Sequence, residues 1–321
     1  MVGGLGGEPE RLLSGCSDCR GPSLSYVWTV SSLALGVAAA FAASTLYNLG
    51  VALQALEARA TPREDGMRLS LIGRLMRRPR WLAGTLLGVV GWPLQAAALM
   101  LAPLTVVQPA LAFGLTLLLV LGARTLHERV GAREVAAVGG IIAGVVLLAV
   151  AAPATEAARA GPGATAAVLG SIALVGLAPF IAAIRLPVGG LAAALAAGAA
   201  FAWSGLSTKY VADAAGHEAW PAAVAWALAT GLASGLALIG EMTALQRRRA
   251  TQVAPLVFVV QVAVPVMAAP LLVGERWLES AWRAVGVYAG LSVVIAGAVI
   301  LVTSPTVTAF VHADAPARQA N

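Results

Sequence analysis

Residues 236 to 258 read LALIGEMTALQRRRATQVAPLVF, and the carboxylate of Glu241 stands inside that apolar run. A charge near the centre of a bilayer costs at least ~2.5 to 3.5 kcal/mol on insertion scales, so a side chain of this type at this depth is a candidate for binding a cation or exchanging a proton. The plain alternative is an ion pair with Arg248, seven residues on and on the same helical face. Other polar or aromatic residues stand in comparable surroundings: Gln95, Asn48, Gln108, Gln261, Ser204, Trp92 and Trp203. They can line a solute pathway, and the polar ones can equally bond neighbouring helices. Trp92 and Trp203 lie too deep for an interfacial aromatic belt and either wall a cavity or fill the core. Pro109, Pro255 and Pro265 each free backbone carbonyls that could serve a site or a hinge. Lys209, the only lysine, falls near the end of an apolar run, where it is expected to snorkel to the surface.

The elements that position these residues follow from composition. Of 321 residues, 59% are hydrophobic and 11% charged, with a mean hydropathy of +0.84, which describes a multispanning membrane protein rather than a soluble domain. Apolar stretches of about twenty residues suit a hydrocarbon core of roughly 30 Å at ~1.5 Å per residue. Period-two alternation is absent and the runs are rich in Ala, Leu, Val and Gly, which argues against a membrane β-barrel. The expected fold is an all-α polytopic bundle of about nine transmembrane helices over 29–53, 81–101, 104–123, 134–152, 164–183, 188–210, 221–244, 253–273 and 283–303.

The chain repeats itself. Residues 34–46, ALGVAAAFAASTL, align on 194–206, ALAAGAAFAWSGL, matching Phe41 with Phe201 and Ser44 with Ser204. Residues 95–109, QAAALMLAPLTVVQP, align on 241–255, EMTALQRRRATQVAP, and place Gln95 opposite Glu241. An acidic-basic pair follows each copy, Glu128-Arg129 and Glu275-Arg276, and Ala143-Gly144 corresponds to Ala296-Gly297. One unmatched span between two four-helix copies turns the second upside down. Two inverted repeats joined by one extra helix usually enclose a solute site near the midplane and expose it alternately to either side. The expected division is a disordered leader over 1–27, a first repeat over 28–153, a linker with the fifth span over 154–187, a second repeat over 188–303, and a tail over 304–321.

Arginine placement sets the expected orientation. With the N-terminus outside and the C-terminus cytoplasmic, most of the 21 basic residues fall on inside segments, as Lys and Arg near span ends prefer. The net charge of +6 is then a topology signal rather than a nucleic-acid footprint. The Arg, Ala and Gly bias resembles that of a high-GC bacterial genome, which makes the plasma (inner) membrane of a bacterium the expected location.

Little favours an enzyme, a cofactor or a metal centre. There is no phosphate loop with lysine. His127, His217 and His312 are scattered, and Cys16 and Cys19 form a lone C-x-x-C without the second pair that zinc needs. Leu13 to Cys16 imitates a lipidation box, but Glu8, Glu10 and Arg11 interrupt the apolar segment it requires. The partners implied are a small-molecule or ion substrate, the lipid bilayer and, as an assembly the sequence leaves open, a homodimer; nucleic acid is not among them.

The run APLTVVQPALAF (102–113), the pair Glu128-Arg129, AGVVLLAVAAP (143–153), TALQRRRATQVAPLVF (243–258) and Gly274-Glu275-Arg276 together resemble the drug/metabolite transporter superfamily. The nine-span layout with Lys209 near the end of the sixth span is similar to its NIPA-like magnesium transporter branch, and the Gly-Glu-Arg motif also occurs in its EamA-like branch. The resemblance spans residues 28–303 and implies a solute carrier. The chain departs from the NIPA-like pattern where Trp92, rather than an acidic residue, follows Gly91. A magnesium site wants one or two carboxylates and several other oxygens; within the spans Glu241 is nearly alone, and Glu57 is the next nearest. The readings are therefore, in order, a secondary transporter of a small solute working by alternating access, a NIPA-like carrier of magnesium or another divalent cation, and a membrane scaffold that transports nothing.

Overall fold

A computed structural model describes residues 22–102, 104–128, 130–151, 161–272 and 280–304. Among the described residues ten α-helices occur: α1 (Pro22–Arg59), α2 (Leu69–Leu75), α3 (Pro79–Leu101), α4 (Leu104–Arg124), α5 (Ala132–Ala151), α6 (Pro162–Ala182), α7 (Gly190–Gly216), α8 (Trp220–Arg247), α9 (Ala250–Leu272) and α10 (Ala281–Val302). Eight of them are long and apolar enough to cross a membrane, so the protein is an all-α polytopic membrane protein. The ninth expected span coincides with α4, 21 residues long, whose apolar stretch counts as a shorter one over Pro109–Arg124. Helix α1 starts at Pro22, so residues 22–27, read from sequence as leader, continue the first helix; residues 1–21 and 305–321 lie outside the described residues.

Helix ends are set by simple signals. Pro79, Pro162 and Pro221 sit in the first turns of α3, α6 and α8, where a missing N–H costs nothing. Helix α1 outruns its predicted end because its last turn is anchored: Glu57 pairs with Arg78 at 3.5 Å, and Arg59 with Glu128. Small residues line the helix contacts, as expected where lipid supplies no hydrophobic drive and close packing must hold helices together.

Alternate helix ends gather at one face of the bundle. Glu128, after α4, bonds both Arg59 at the end of α1 and Ala250 at the start of α9. Gln246, in the last turn of α8, reaches Thr61 after α1. Ser304, after α10, reaches Glu134 in the first turn of α5. Gly190, at the start of α7, abuts Arg247 and Arg248. Arg59, Arg63, Arg68, Arg74, Arg77, Arg78, Arg80, Arg124, Arg133, Arg185, Arg247, Arg248 and Arg249 all belong to this end.

This gathering makes α1 antiparallel to α7, α3 to α8, α4 to α9 and α5 to α10. The packing repeats accordingly. Helix α1 packs on α3 and α4 as α7 packs on α8 and α9, while α4–α5 matches α9–α10. Helices α5 and α10 meet across the pseudo-two-fold, and their contact reads the same from either side: Gly144 lies against the Gly290 carbonyl, and Gly297 against that of Ala137.

The unmatched relations belong to α1. Helix α1 packs on α8 near the arginine-rich end and more lightly on α9, whereas among the described residues α7 makes no comparable contact with α3 or α4. The apolar core behaves alike. Its main cluster, with Ala58, Leu75, Trp81, Leu118, Met242, Leu245 and Val253, crosses both halves. A smaller one, Ala40, Ala43, Ala98, Ala102, Val107, Ala110 and Leu111, belongs to α1, α3 and α4 of the first half and the C-terminal boundary of α3.

Candidate functional site

Glu241 lies in the closing turns of α8, where every residue from Ile239 to Gln246 is buried. It is itself 7% exposed, and it has no hydrogen bond or ion pair among the described residues. Helical spacing puts it on one face with Ser234 and Thr230, seven and eleven positions back. Those two are joined to α7: Ser234 and Ser204 hydroxyls lie 2.7 Å apart, as do Thr230 and Ser207. The face thus runs from a hydroxyl ladder, which is satisfied, to a carboxylate, which is not. The alternative Glu241–Arg248 pair does not form; Arg248 donates from Nη1 to the Val302 carbonyl at 3.4 Å.

The counterpart residue in the first half behaves differently. Gln95 accepts through Oε1 from the Tyr47 hydroxyl at 2.9 Å. The next residue of α1, Asn48, is buried and donates from Nδ2 to the Ser44 carbonyl at 2.8 Å, and Ser44 donates to the Leu111 carbonyl at 2.6 Å. These groups knit α1 to α3 and α4. Trp203 donates from Nε1 to the Leu169 carbonyl of α6 at 3.1 Å and lies against Trp226, which stacks on Tyr210 with ring centroids 4.9 Å apart. Trp92 is 65% exposed, which places it at the bundle surface rather than in the core. Gln261 is exposed on α9. The side chains of Gln108 and Lys209 lie outside the described residues. The sequence candidates are therefore distributed over both halves, with Glu241 and Ser204 sharing the α7–α8 seam and Gln95 and Asn48 the α1–α3–α4 seam.

Three features of the site escape sequence reasoning. The first is Glu128, whose side chain is 3% exposed. Its two oxygens accept from the Ala250 N–H at 2.7 Å, the Thr251 N–H at 3.0 Å and the Thr251 hydroxyl at 2.5 Å, besides pairing with Arg59. It caps α9 from a distant loop, and charge at that helix start is favoured by the dipole. The Glu-Arg motif marked the position but not its target.

The second is a latch at the arginine-rich end. Met67 holds a left-handed conformation, φ 60°, which costs a non-glycine residue about 1 to 2 kcal/mol. Its N–H is captured by the Thr243 hydroxyl at 2.8 Å. Gln246 donates from Nε2 to Thr61 Oγ1 at 2.9 Å and to the Pro62 carbonyl at 3.2 Å, and Trp81 donates from Nε1 to Met242 Sδ at 3.2 Å. The segment between α1 and α3 is thereby fastened onto α8 beside Glu241.

The third concerns the other acids. Glu57 is held by Arg78, and Asp65 by Arg74 at 3.1 Å and Ser70 at 3.1 Å. Among the described residues no three His, Cys, Asp or Glu side chains converge as a metal site. No protein-family model, curated protein or solved structure matches this chain.

Proposed function

We propose that this protein is a secondary transporter of a small solute or metabolite, of the drug/metabolite transporter type, working by alternating access in a bacterial inner membrane with its arginine-rich end in the cytoplasm. What carries this reading is the unmatched contact. Two inverted halves that otherwise pack alike are joined through α1 with α8 and α9, and among the described residues α7 makes no comparable contact with α3 or α4. A pseudo-symmetric pair closed at one mouth has a second arrangement, of similar energy, in which the roles of the mouths exchange. Glu241 is the group that can couple this exchange to a cation or a proton: it is buried, unpaired among the described residues, and next to the latch. A buried charge without a partner is destabilising, so its retention is explained by a role in binding.

The test is counterflow in proteoliposomes made with purified protein, screened across amino acids, drug-like cations and divalent cations. Wild type exchanges one of these classes, and Glu241→Gln lowers that exchange by about tenfold or more, equivalent to ~1.4 kcal/mol or more of lost binding. Exchange of the same size and pH dependence in Glu241→Gln removes the coupling role. Absence of exchange across all classes favours a scaffold.

A further inference from the structure

Beside the latch lies a cleft of about 300 Å³ whose wall comes from three places: residues 63–68 after α1, residues 183–188 between α6 and α7, and Arg247 at the end of α8. Four arginines, Arg63, Arg68, Arg185 and Arg247, line it against a single acid, Glu64. None of the four has an ion pair among the described residues, although Arg59, Arg74 and Arg78 nearby all do. Arg247 is the most constrained. It donates from Nη2 to the Arg63 carbonyl at 3.0 Å, while its Nε is buried without an acceptor. A buried N–H on a charged group left unbonded is costly, and an anion drawn into the cleft supplies an acceptor of opposite charge beside it. Guanidinium forks match phosphate oxygens in pairs of parallel hydrogen bonds. The cleft also has an apolar skirt, with Ile184 78% and Leu186 65% exposed, at the helix ends where a bilayer carries its headgroups.

We infer that this cleft binds a phosphate group, carried by an anionic lipid headgroup or free in solution, and that the bound anion ties residues 63–68 to the α6–α7 connection and α8. The inference stands apart from the transport reading, since it requires only the cleft and its charges. An anion there would reinforce the same end that the latch closes.

The experiment measures thermal unfolding of the delipidated full chain in detergent against two probes, inorganic phosphate and dihexanoyl phosphatidylglycerol. Chloride at equal ionic strength and dihexanoyl phosphatidylcholine serve as references. A saturable rise in midpoint with either probe is expected, and Arg63→Gln with Arg185→Gln weakens the apparent affinity by at least about tenfold. Arg68→Gln alone is the milder second variant and weakens it in the same direction. The pair Arg77→Gln with Arg80→Gln, on the same end but outside the cleft, leaves it unchanged. Saturation by the lipid alone identifies a headgroup site; saturation by both identifies the phosphate group itself. No saturable shift with either probe, or equal weakening in the Arg77 and Arg80 variant, overturns the inference and reduces the cleft to part of a diffuse positive surface.

Discussion

Two buried carboxylates define the chemistry at the scale of single residues, and they are opposites. Glu128 is saturated by a guanidinium, two backbone N–H groups and a hydroxyl, whereas Glu241 has no such partner among the described residues. Removing one member of a buried, hydrogen-bonded ion pair costs about 3 to 5 kcal/mol, because the remaining groups stay buried and unpaired. Glu128→Ala is therefore expected to lower the thermal midpoint sharply in detergent. Arg59→Ala, whose side chain is 30% exposed, should lower it less. Glu241→Gln should leave the midpoint unchanged or raise it, since no favourable bond is lost and a buried charge is removed. A fall in midpoint for Glu241→Gln comparable to that of Glu128→Ala would mean that the carboxylate has a structural partner. The sequence made Glu241 conspicuous by type and depth, but both residues look alike in a string of letters. What separates them is the position of α9's first turn, more than a hundred residues from Glu128, and no local pattern encodes that meeting.

Helices are where the sequence was most informative. The matched runs around Phe41 and Phe201, and around Ala143-Gly144 and Ala296-Gly297, predict inverted halves, and the antiparallel pairs α1/α7 and α5/α10 realise them. Less accessible was where backbones touch. Gly139 and Gly144 share a helix and an apolar context, yet a Cβ on Gly144 would lie 2.8 Å from the Gly290 carbonyl, and one on Gly139 would meet nothing within 4 Å. Overpacking a close contact costs about 1 to 3 kcal/mol, while replacing an unconstrained helical glycine by alanine gains up to ~1 kcal/mol. Gly144→Ala is thus expected to lower the midpoint and Gly139→Ala to hold or raise it. Equal effects would mean that α5 and α10 are not in backbone contact.

At the scale of the whole molecule, the proposed alternating access makes the latch, and the α3–α7 contact missing among the described residues, marks of one of two states. Thr61 and Gln246 are within hydrogen-bonding distance in this state, at 2.9 Å, and opening the arginine-rich end must separate them. The symmetry-related closure that the proposal requires would join the C-terminal turns of α3 and α7, near Ala97 and Ala214, which among the described residues make no comparable packing. Cysteines at Thr61 and Gln246, in a chain with Cys16 and Cys19 changed to serine, should accept a short bifunctional thiol reagent readily and lose exchange on cross-linking. Cysteines at Ala97 and Ala214 should react slowly without solute and faster when saturating solute drives cycling. A cross-link between Thr61 and Gln246 that leaves exchange intact would show that the latch does not open during turnover, and the pathway would then have to lie outside the α1–α8 seam. The equilibrium between the two closures also sets the magnitude to expect. Under the proposed exchange, two closures that differ by a few kcal/mol leave the minor state populated at about 0.1 to 10%. Weakening the latch by one hydrogen bond, as in Thr243→Val, removes about 0.5 to 1.5 kcal/mol and should raise the Ala97–Ala214 cross-linking rate about two- to tenfold, in step with the fall in protection of the arginine-rich end.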